Sequence, residues 1–194
     1  MKEYYHRRAP EYDDWYRGVF YGGVERETFL AERAELEQAI GRLPTKRTLD
    51  VACGTGFLTR HLRGEVVGFD QSPAMLQIAR GQAPGADYVE GDAFDLPFPD
   101  GAFERVFTGH FYGHLEPEDR RAFLAEARRV APELVVADAA RRPGHDPDEW
   151  QQREIADGTT FPVFKRFFEP AQLVGELGGG EVLFAGDWFV VVRA

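Results

Sequence analysis

Residues 48–59, TLDVACGTGFLT, constrain this chain more than any other segment. An apolar run holding Asp50 enters a glycine-rich turn at Gly54 and Gly56, and Phe57, Leu58, His61 and Leu62 follow with helix-like spacing. The next apolar run, 65–70, ends in a second acid, Asp70, twenty residues after the first. Strand, glycine turn, helix, strand and terminal acid make up the nucleotide-binding half of a doubly wound α/β fold.

The chemistry of Asp50 narrows the nucleotide. A dinucleotide such as NAD lays its pyrophosphate on this turn, where it needs backbone N–H groups and a helix N-terminus. A carboxylate four residues ahead of the first glycine repels a phosphate and pairs with an ammonium. The turn Gly54-Thr55-Gly56-Phe57-Leu58-Thr59 also lacks the third glycine of the dinucleotide fingerprint. S-adenosylmethionine (SAM) is a nucleoside ligand with an ammonium, a cationic sulfur and no phosphate. Asp50 suits its positive end, and Asp70, at a strand end, suits both ribose hydroxyls.

With 194 residues, 43% of them hydrophobic, the chain is sized for one α/β domain. Its net charge of −10 argues against a nucleic-acid backbone as partner. No apolar run approaches a membrane span, and the N-terminal MKEYYHRRAPEYDD has no signal-peptide core. The single cysteine, Cys53, excludes an internal disulfide and reads as a small apolar residue at a tight turn in a reducing cytoplasm. Arginine replaces lysine almost throughout (Lys2, Lys46 and Lys165 are the only lysines), which points to a GC-rich bacterial source.

Spacing predicts a helix from Val24 to Arg42, ended by Pro44, and strand one at 47–52. A helix is expected at 56–63, strand two at 65–70, and a helix from Pro73 capped by Ser72. Strands follow at 86–91, 103–108 and 133–138, with an amphipathic helix at 117–130. The stretch 141–170, with its prolines and glycines, reads as irregular. A short helix near 170–177 and a hairpin over 181–186 and 188–193 complete the chain. The expected organisation is one domain over 1–194: an N-terminal helical lid region (1–45), a cofactor-binding core (46–138), and a substrate-side segment with the terminal hairpin (139–194).

Three segments in order resemble the class I SAM-dependent methyltransferases. LDVACGTGFLT resembles their first motif, with Ala52 where the commonest form has glycine. VVGFDQSPAML resembles the second, and VEGDAFDLPFPDGAFERV the third and fourth, in the version of small-molecule enzymes of ubiquinone and menaquinone biosynthesis. The resemblance implies a Rossmann-like seven-stranded sheet, ordered 3-2-1-4-5-7-6 with the last strand antiparallel and helices on both faces. It implies SAM as cofactor, S-adenosylhomocysteine (SAH) as product, and a small-molecule acceptor.

By that resemblance Ala52, Gly54, Thr55 and Gly56 form, with Asp50, the turn that holds the methionine end. Asp70 takes the ribose, and Gln71 and Met75 lie along the adenosine. Asp92 accepts from the adenine amino group, the Ala93 N–H serves a ring nitrogen, and Phe94 covers a face. Gly109 lies where the methyl group points. Glu11-Tyr12-Asp13 resembles the family's Tyr-Asp opening segment, which places Tyr12 over the cofactor. His110 and His114, just beyond strand four at the ligand-binding edge of the sheet, are the candidate catalytic bases. Arg7, Arg8, Lys165 and Arg166 are cations that an anionic acceptor would meet. Methyl transfer from a sulfonium needs no metal, and none is expected. A cytoplasmic monomer or homodimer, without nucleic-acid or membrane partners, completes the expectation. Two other readings stay open: a SAM- or SAH-binding protein without turnover, and an NAD-dependent oxidoreductase.

Overall fold

The computed structural model describes residues 2–144 and 146–194, and His145, within the stretch expected to be irregular, lies outside them. The parallel part of the main sheet is built from β1 (Thr48–Val51), β2 (Val66–Asp70), β3 (Asp87–Glu90), β4 (Arg105–Gly109) and β5 (Glu133–Ala139). A two-stranded sheet follows, β6 (Asp148–Glu154) with β7 (Thr160–Arg166), and then the terminal hairpin β8 (Glu181–Ala185) and β9 (Phe189–Arg193). The seven-stranded sheet runs β3-β2-β1-β4-β5-β9-β8, with β9 antiparallel to both neighbours. Once β6 and β7 are set aside, this is the order and the single reversed strand that the motifs imply.

Both faces of the sheet are buried, so its central strands are apolar along their length rather than alternating. On one face Val106, Leu134, Val136, Val190 and Val192 pack with Phe123, Ala127 and Val130 of α4 (Pro117–Val130) and Leu173 of α5 (Pro170–Glu176). On the other, Phe107, Val135, Ala137, Phe189 and Val191 meet Phe29, Leu36 and Ile40 of α2 (Gly23–Gly41). A buried clamp closes the amino edge: Arg105 donates to Glu133 and to the Pro44 carbonyl, and Lys46 pairs with Glu133 at 2.8 Å. The carboxyl edge stays open to ligands.

Local sequence explains most element ends. Helix α3 (Pro73–Gln82) begins as expected, with Ser72 Oγ accepting from the Met75 N–H and proline at its first position. The helix expected at 56–63 is reduced to a 3-10 turn, Thr59–His61. Gly56 has φ +78° and Leu62 is already extended, so the intervening residues hold little more than one turn. The Thr59 hydroxyl is drawn to Asp50 at 2.6 Å.

The stretch 141–170 is not irregular as expected: it holds the β6–β7 hairpin. Asp157-Gly158 forms its turn, with Gly158 at φ +83° and the Ile155 N–H bonded to the Thr159 carbonyl. Its apolar side rests on the N-terminal α1 (Lys2–Arg8), where Tyr4, Ile155 and Val163 form a separate buried cluster with Tyr5 and Phe161 packed against it. Together α1, the following 3-10 turn Ala9–Asp14 and the hairpin lie over the open edge of the sheet.

Asp13 fixes this cap to the glycine turn. Its carboxylate, only 8% exposed, accepts from the Thr55 hydroxyl at 2.6 Å and from the Gln82 amide of α3. Asp13→Ala leaves the buried Thr55 hydroxyl and the half-buried Gln82 amide without this partner, so it is expected to cost about 1–3 kcal/mol of stability. Denaturant unfolding measures that cost, and hydrogen exchange should show faster exchange at residues 9–15 while the β4 and β5 amides keep their protection.

Candidate functional site

The open edge of the sheet holds two cavities that share Tyr5, Tyr12, His110 and His114 as their common wall. The inner one, of about 200 Å³, lies over the ends of β1, β2 and β4 and the start of α3. Tyr12, Ala52, Gly54, Asp70, Gln71, Met75, Asp92, Ala93, Phe94, Gly109, His110 and His114 all line it. The outer one, of about 420 Å³, is walled by the cap and the terminal hairpin, with Arg8, Trp15, Arg142, Arg153, Lys165 and Trp188 among its residues. Sequence reading therefore brings most of its candidates to one place.

Asp50 lies lower, in a recess of about 10 Å³ that shares Tyr12, Ala52, Gly54 and Gly109 with the inner cavity. Its carboxylate is 1% exposed, and Thr59 is its hydrogen-bond partner. Burial pushes its pKa up to about 7, against the lowering effect of Thr59 and with a further raise from Asp70. A buried carboxylate without a cation is costly to ionise. A positive group at the mouth of the recess would favour its ionised form.

Two other predicted residues lie outside the inner cavity. Thr55 borders the recess, but its hydroxyl is held by Asp13. Gly56 lines neither and instead packs close to Ala79 of α3, where a Cβ would come to 3.1 Å.

The turn owes its shape to the left-handed backbone. Gly54 has φ +55°, and its N–H donates to Asp70 at 3.0 Å, tying the first turn to the second strand. Asp70 also accepts the Ser72 N–H at 2.8 Å, which leaves further lone pairs facing the cavity. Ala52, at φ +57°, takes a conformation that favours glycine, so a residue that departs from the commonest motif sits strained at the cavity wall. The only other such non-glycine residue among those described is His110, at φ +54° where β4 ends. Asp92 is exposed; its Oδ1 accepts the Phe94 N–H at 3.0 Å and orders the loop beside the cavity.

The shared wall carries the titratable groups. His110 is ringed by Trp15, Tyr16 and Phe189, and its Nε2 is buried with no partner among the described residues. Burial lowers its pKa to about 4, with Asp138 opposing and Lys165 adding to the shift. His114 Nδ1 lies 2.7 Å from the Phe164 carbonyl, so Nδ1 carries the proton and Nε2 is a bare acceptor. Burial, then Lys165 and Arg153, hold His114 well below its ordinary value. Both imidazoles are therefore neutral near pH 7. Tyr12 is pushed up to about 12 by burial and remains a phenol. Cys53, held up by burial and by Asp50, is no thiolate.

Beneath this wall lies a group that spacing does not reveal. Asp138, at the end of β5, is 0% exposed and accepts from Lys165 Nζ at 2.7 Å, from the Gly113 N–H at 2.8 Å and from the Ala139 N–H at 2.8 Å. Burial alone would raise its pKa, but Lys165 and His110 hold it below the usual carboxylate range. A Cβ on Gly113 would come within 2.8 Å of that carboxylate, so the close approach requires glycine. Among the described residues no three His, Cys, Asp or Glu side chains converge as a metal site, and no helix is long and apolar enough to cross a membrane.

Known proteins resemble this chain in both sequence and fold. A methyltransferase domain model matches residues 49–133. Demethylmenaquinone methyltransferase of Thermus thermophilus is 40% identical over 131 residues, covering 63% of this chain and 56% of that protein. The same-named enzyme of Renibacterium salmoninarum is 33% identical over 136 residues, covering 67% of this chain and 54% of the enzyme. The chain thus spans about half the length of these curated relatives. Among solved structures, the complex of DhpI with SAH superposes with a TM-score of 0.76 at 26% identity, covering 98% of this chain and 92% of DhpI. A DhpI-SAM-HEP complex gives 0.73, also at 26% identity, and covers 98% and 94%.

Asp50 sets a pH test of the site itself. In the unfolded chain its carboxyl ionises near 3.8, whereas in the folded chain the proton stays until about pH 7. Its contribution to stability is therefore lost as pH rises from about 4 to 7. Asp50→Asn is expected to gain on the wild type across that window, by about 4 kcal/mol at pH 8 relative to pH 4. Urea unfolding of both proteins at several pH values measures the difference, and a pH-independent difference would contradict the assignment.

Proposed function

We propose that this chain, which has the sheet order of the class I SAM-dependent methyltransferase fold and matches a methyltransferase domain model over residues 49–133, methylates a small molecule. The observation that carries this reading is Asp50: a buried carboxylate with no cation beside it among the described residues, in a recess adjoining a cavity of about 200 Å³. The solved DhpI complexes contain SAH or SAM, and the relatives from Thermus and Renibacterium are named as methyltransferases, which supports the same choice of cofactor.

In this reading Asp50 takes the ammonium end, and the backbone of Ala52, Gly54 and Thr55 approaches the methionine chain. Asp70 accepts from the ribose hydroxyls. Gln71 and Met75 flank the adenosine, and Asp92, the Ala93 N–H and Phe94 bind the base. Tyr12 covers the ligand, and Gly109 leaves room where the inner cavity meets the Asp50 recess. When bound, SAM supplies an electrophilic methyl group: the acceptor's lone pair forms the new bond while the S–CH3 pair returns to sulfur.

The protein's part is alignment, dehydration and the handling of any acceptor proton. Alignment of two reactants accounts for up to about 7–11 kcal/mol of a barrier. Aromatic side chains at the junction (Tyr5 and Tyr12), with Trp15 beside them in the outer cavity, exclude water and favour a cation. His114, with Nδ1 committed to a carbonyl, directs a neutral acceptor nitrogen into the site and is the favoured catalytic base. His110 Nε2, buried without a partner, is the second acceptor.

Calorimetry with SAM, SAH and NAD tests the reading: SAM and SAH should bind and NAD should not. Binding of NAD alone would overturn it. SAH affinity is expected to rise with pH up to about 7 and then level off, because an ammonium selects the ionised form of Asp50. Asp50→Asn should weaken SAH by about 1–3 kcal/mol and flatten that profile. Labelled SAM incubated with a metabolite extract then separates turnover from binding alone, since a non-catalytic SAM-binding protein transfers no label. Where label is transferred, His114→Gln should lower the rate more than it lowers SAH affinity.

A further inference from the structure

Resting on the methyltransferase reading, we infer that the acceptor carries an oxyanion (a carboxylate or a phosphoryl-type group) gripped in the outer cavity by Arg8 and Arg153. The whole chain is acidic, with a net charge of −10, yet this cavity is lined by Arg8, Arg142, Arg153 and Lys165. Two of the four are already neutralised. Lys165 is paired with Asp138 at 2.7 Å, and Arg142 meets Glu25 at 3.4 Å while stacking on Trp188. The other two have no carboxylate partner among the described residues. Arg8, half-buried at the end of α1, donates to the Tyr4 hydroxyl, and its guanidinium lies 5.4 and 5.5 Å from the Tyr4 and Tyr12 ring centres. Arg153, half-buried on β6, spends Nε and Nη2 on the neutral Gln151 Oε1, at 2.9 and 2.6 Å.

Guanidiniums withdrawn from water without a counter-charge are costly, and a planar fork matches a carboxylate or phosphoryl group. The acids that line the cavity, Glu149, Glu154 and Asp187, are exposed, and Glu149 already accepts from the Gln151 amide. Both arginines act on the same two rings, raising the positive potential at Tyr5 and Tyr12, which stand where the outer cavity opens onto the inner one. An oxyanion held there keeps the rest of a small acceptor beside His110 and His114. The aromatic walls, with Trp15 and Trp188, suit a flat or apolar remainder.

The test compares three probes of one shape: benzoate, phenylphosphonate and benzyl alcohol. Each is titrated into the chain, with and without saturating SAH, and followed by calorimetry and by the fluorescence of Trp15 and Trp188. At low salt each anion is expected to bind at least tenfold more tightly than the alcohol, and added NaCl should shrink that ratio. Arg153→Gln and Arg8→Gln should each remove most of the preference, Arg153→Lys should restore part of it, and Arg153→Gln should leave SAH affinity unchanged. If Arg8→Gln does not fold, as judged by circular dichroism, Arg153→Gln decides. Equal binding of the three probes, no binding of the anions, or a preference that survives Arg153→Gln would overturn the inference. A chain that ignores SAH but still prefers the anions would overturn the methyltransferase reading alone.

Discussion

The buried pair of Lys165 and Asp138 is the constraint on which the site depends. Lys165 belongs to the added hairpin and Asp138 to the central sheet, and their charged atoms meet at 2.7 Å with almost no exposure. Such a pair is a poor source of net stability, because taking two charges out of water costs as much as their attraction returns. It is a good source of register. Asp138 also holds the Gly113 N–H, and the Phe164 carbonyl, next to Lys165, holds His114. One carboxylate therefore fixes the hairpin, the turn after β4 and the tautomer of a candidate base. Removing either partner leaves a buried charge unpaired beneath the shared wall of both cavities, which is far more damaging than loss of a surface bridge.

The cap above this pair is built from opposite regions of the sequence, and neither part could stand alone. The α1 helix, Lys2–Arg8, is too short to be stable in water. A two-stranded hairpin is marginal as well. They bury Tyr4, Ile155 and Val163 against each other, and Asp13 then ties the N-terminal part to the glycine turn. The seating of the cap is thereby coupled to the geometry of the glycine turn through the hydroxyl of Thr55.

Where local chemistry dictates structure, the sequence is legible. Ser72 and Pro73 mark the start of α3, and Gly54 marks the left-handed turn. The acids at strand ends, Asp50 and Asp70, converge because strands β1 and β2 are parallel and adjacent. Legibility fails where tertiary contacts decide. The strand Asp148–Glu154 is mostly exposed and polar, so it lacks the alternation by which strands are recognised; it persists because β7 and α1 pack on it. The Asp157-Gly158 turn was the available signal. The 56–63 segment has helical spacing, but Gly56 and the early extension at Leu62 truncate it. Nothing in spacing links Asp138 to Lys165, or Arg8 to Arg153, because those pairs exist only once the cap is seated.

The two cavities differ in electrostatic sign, and on the proposed reading that difference is functional. The cofactor side presents Asp50, Asp70 and Asp92, while the acceptor side presents Arg8 and Arg153. A sulfonium with an ammonium belongs on the first and an oxyanion on the second. Each partner is drawn into its own chamber, and the reverse placement sets like charges together, so the field sorts the reactants. At the junction the walls are neutral: phenols held above their usual pKa and imidazoles held below theirs. A methyl transfer from sulfonium to a nucleophile of an anionic molecule disperses charge, and a dry, uncharged junction favours that dispersal over the separated ions. Burial, which shifts each of these groups toward its neutral form, thereby supplies the environment the displacement needs and, on the same reading, keeps His114 a neutral acceptor for any proton the acceptor must lose.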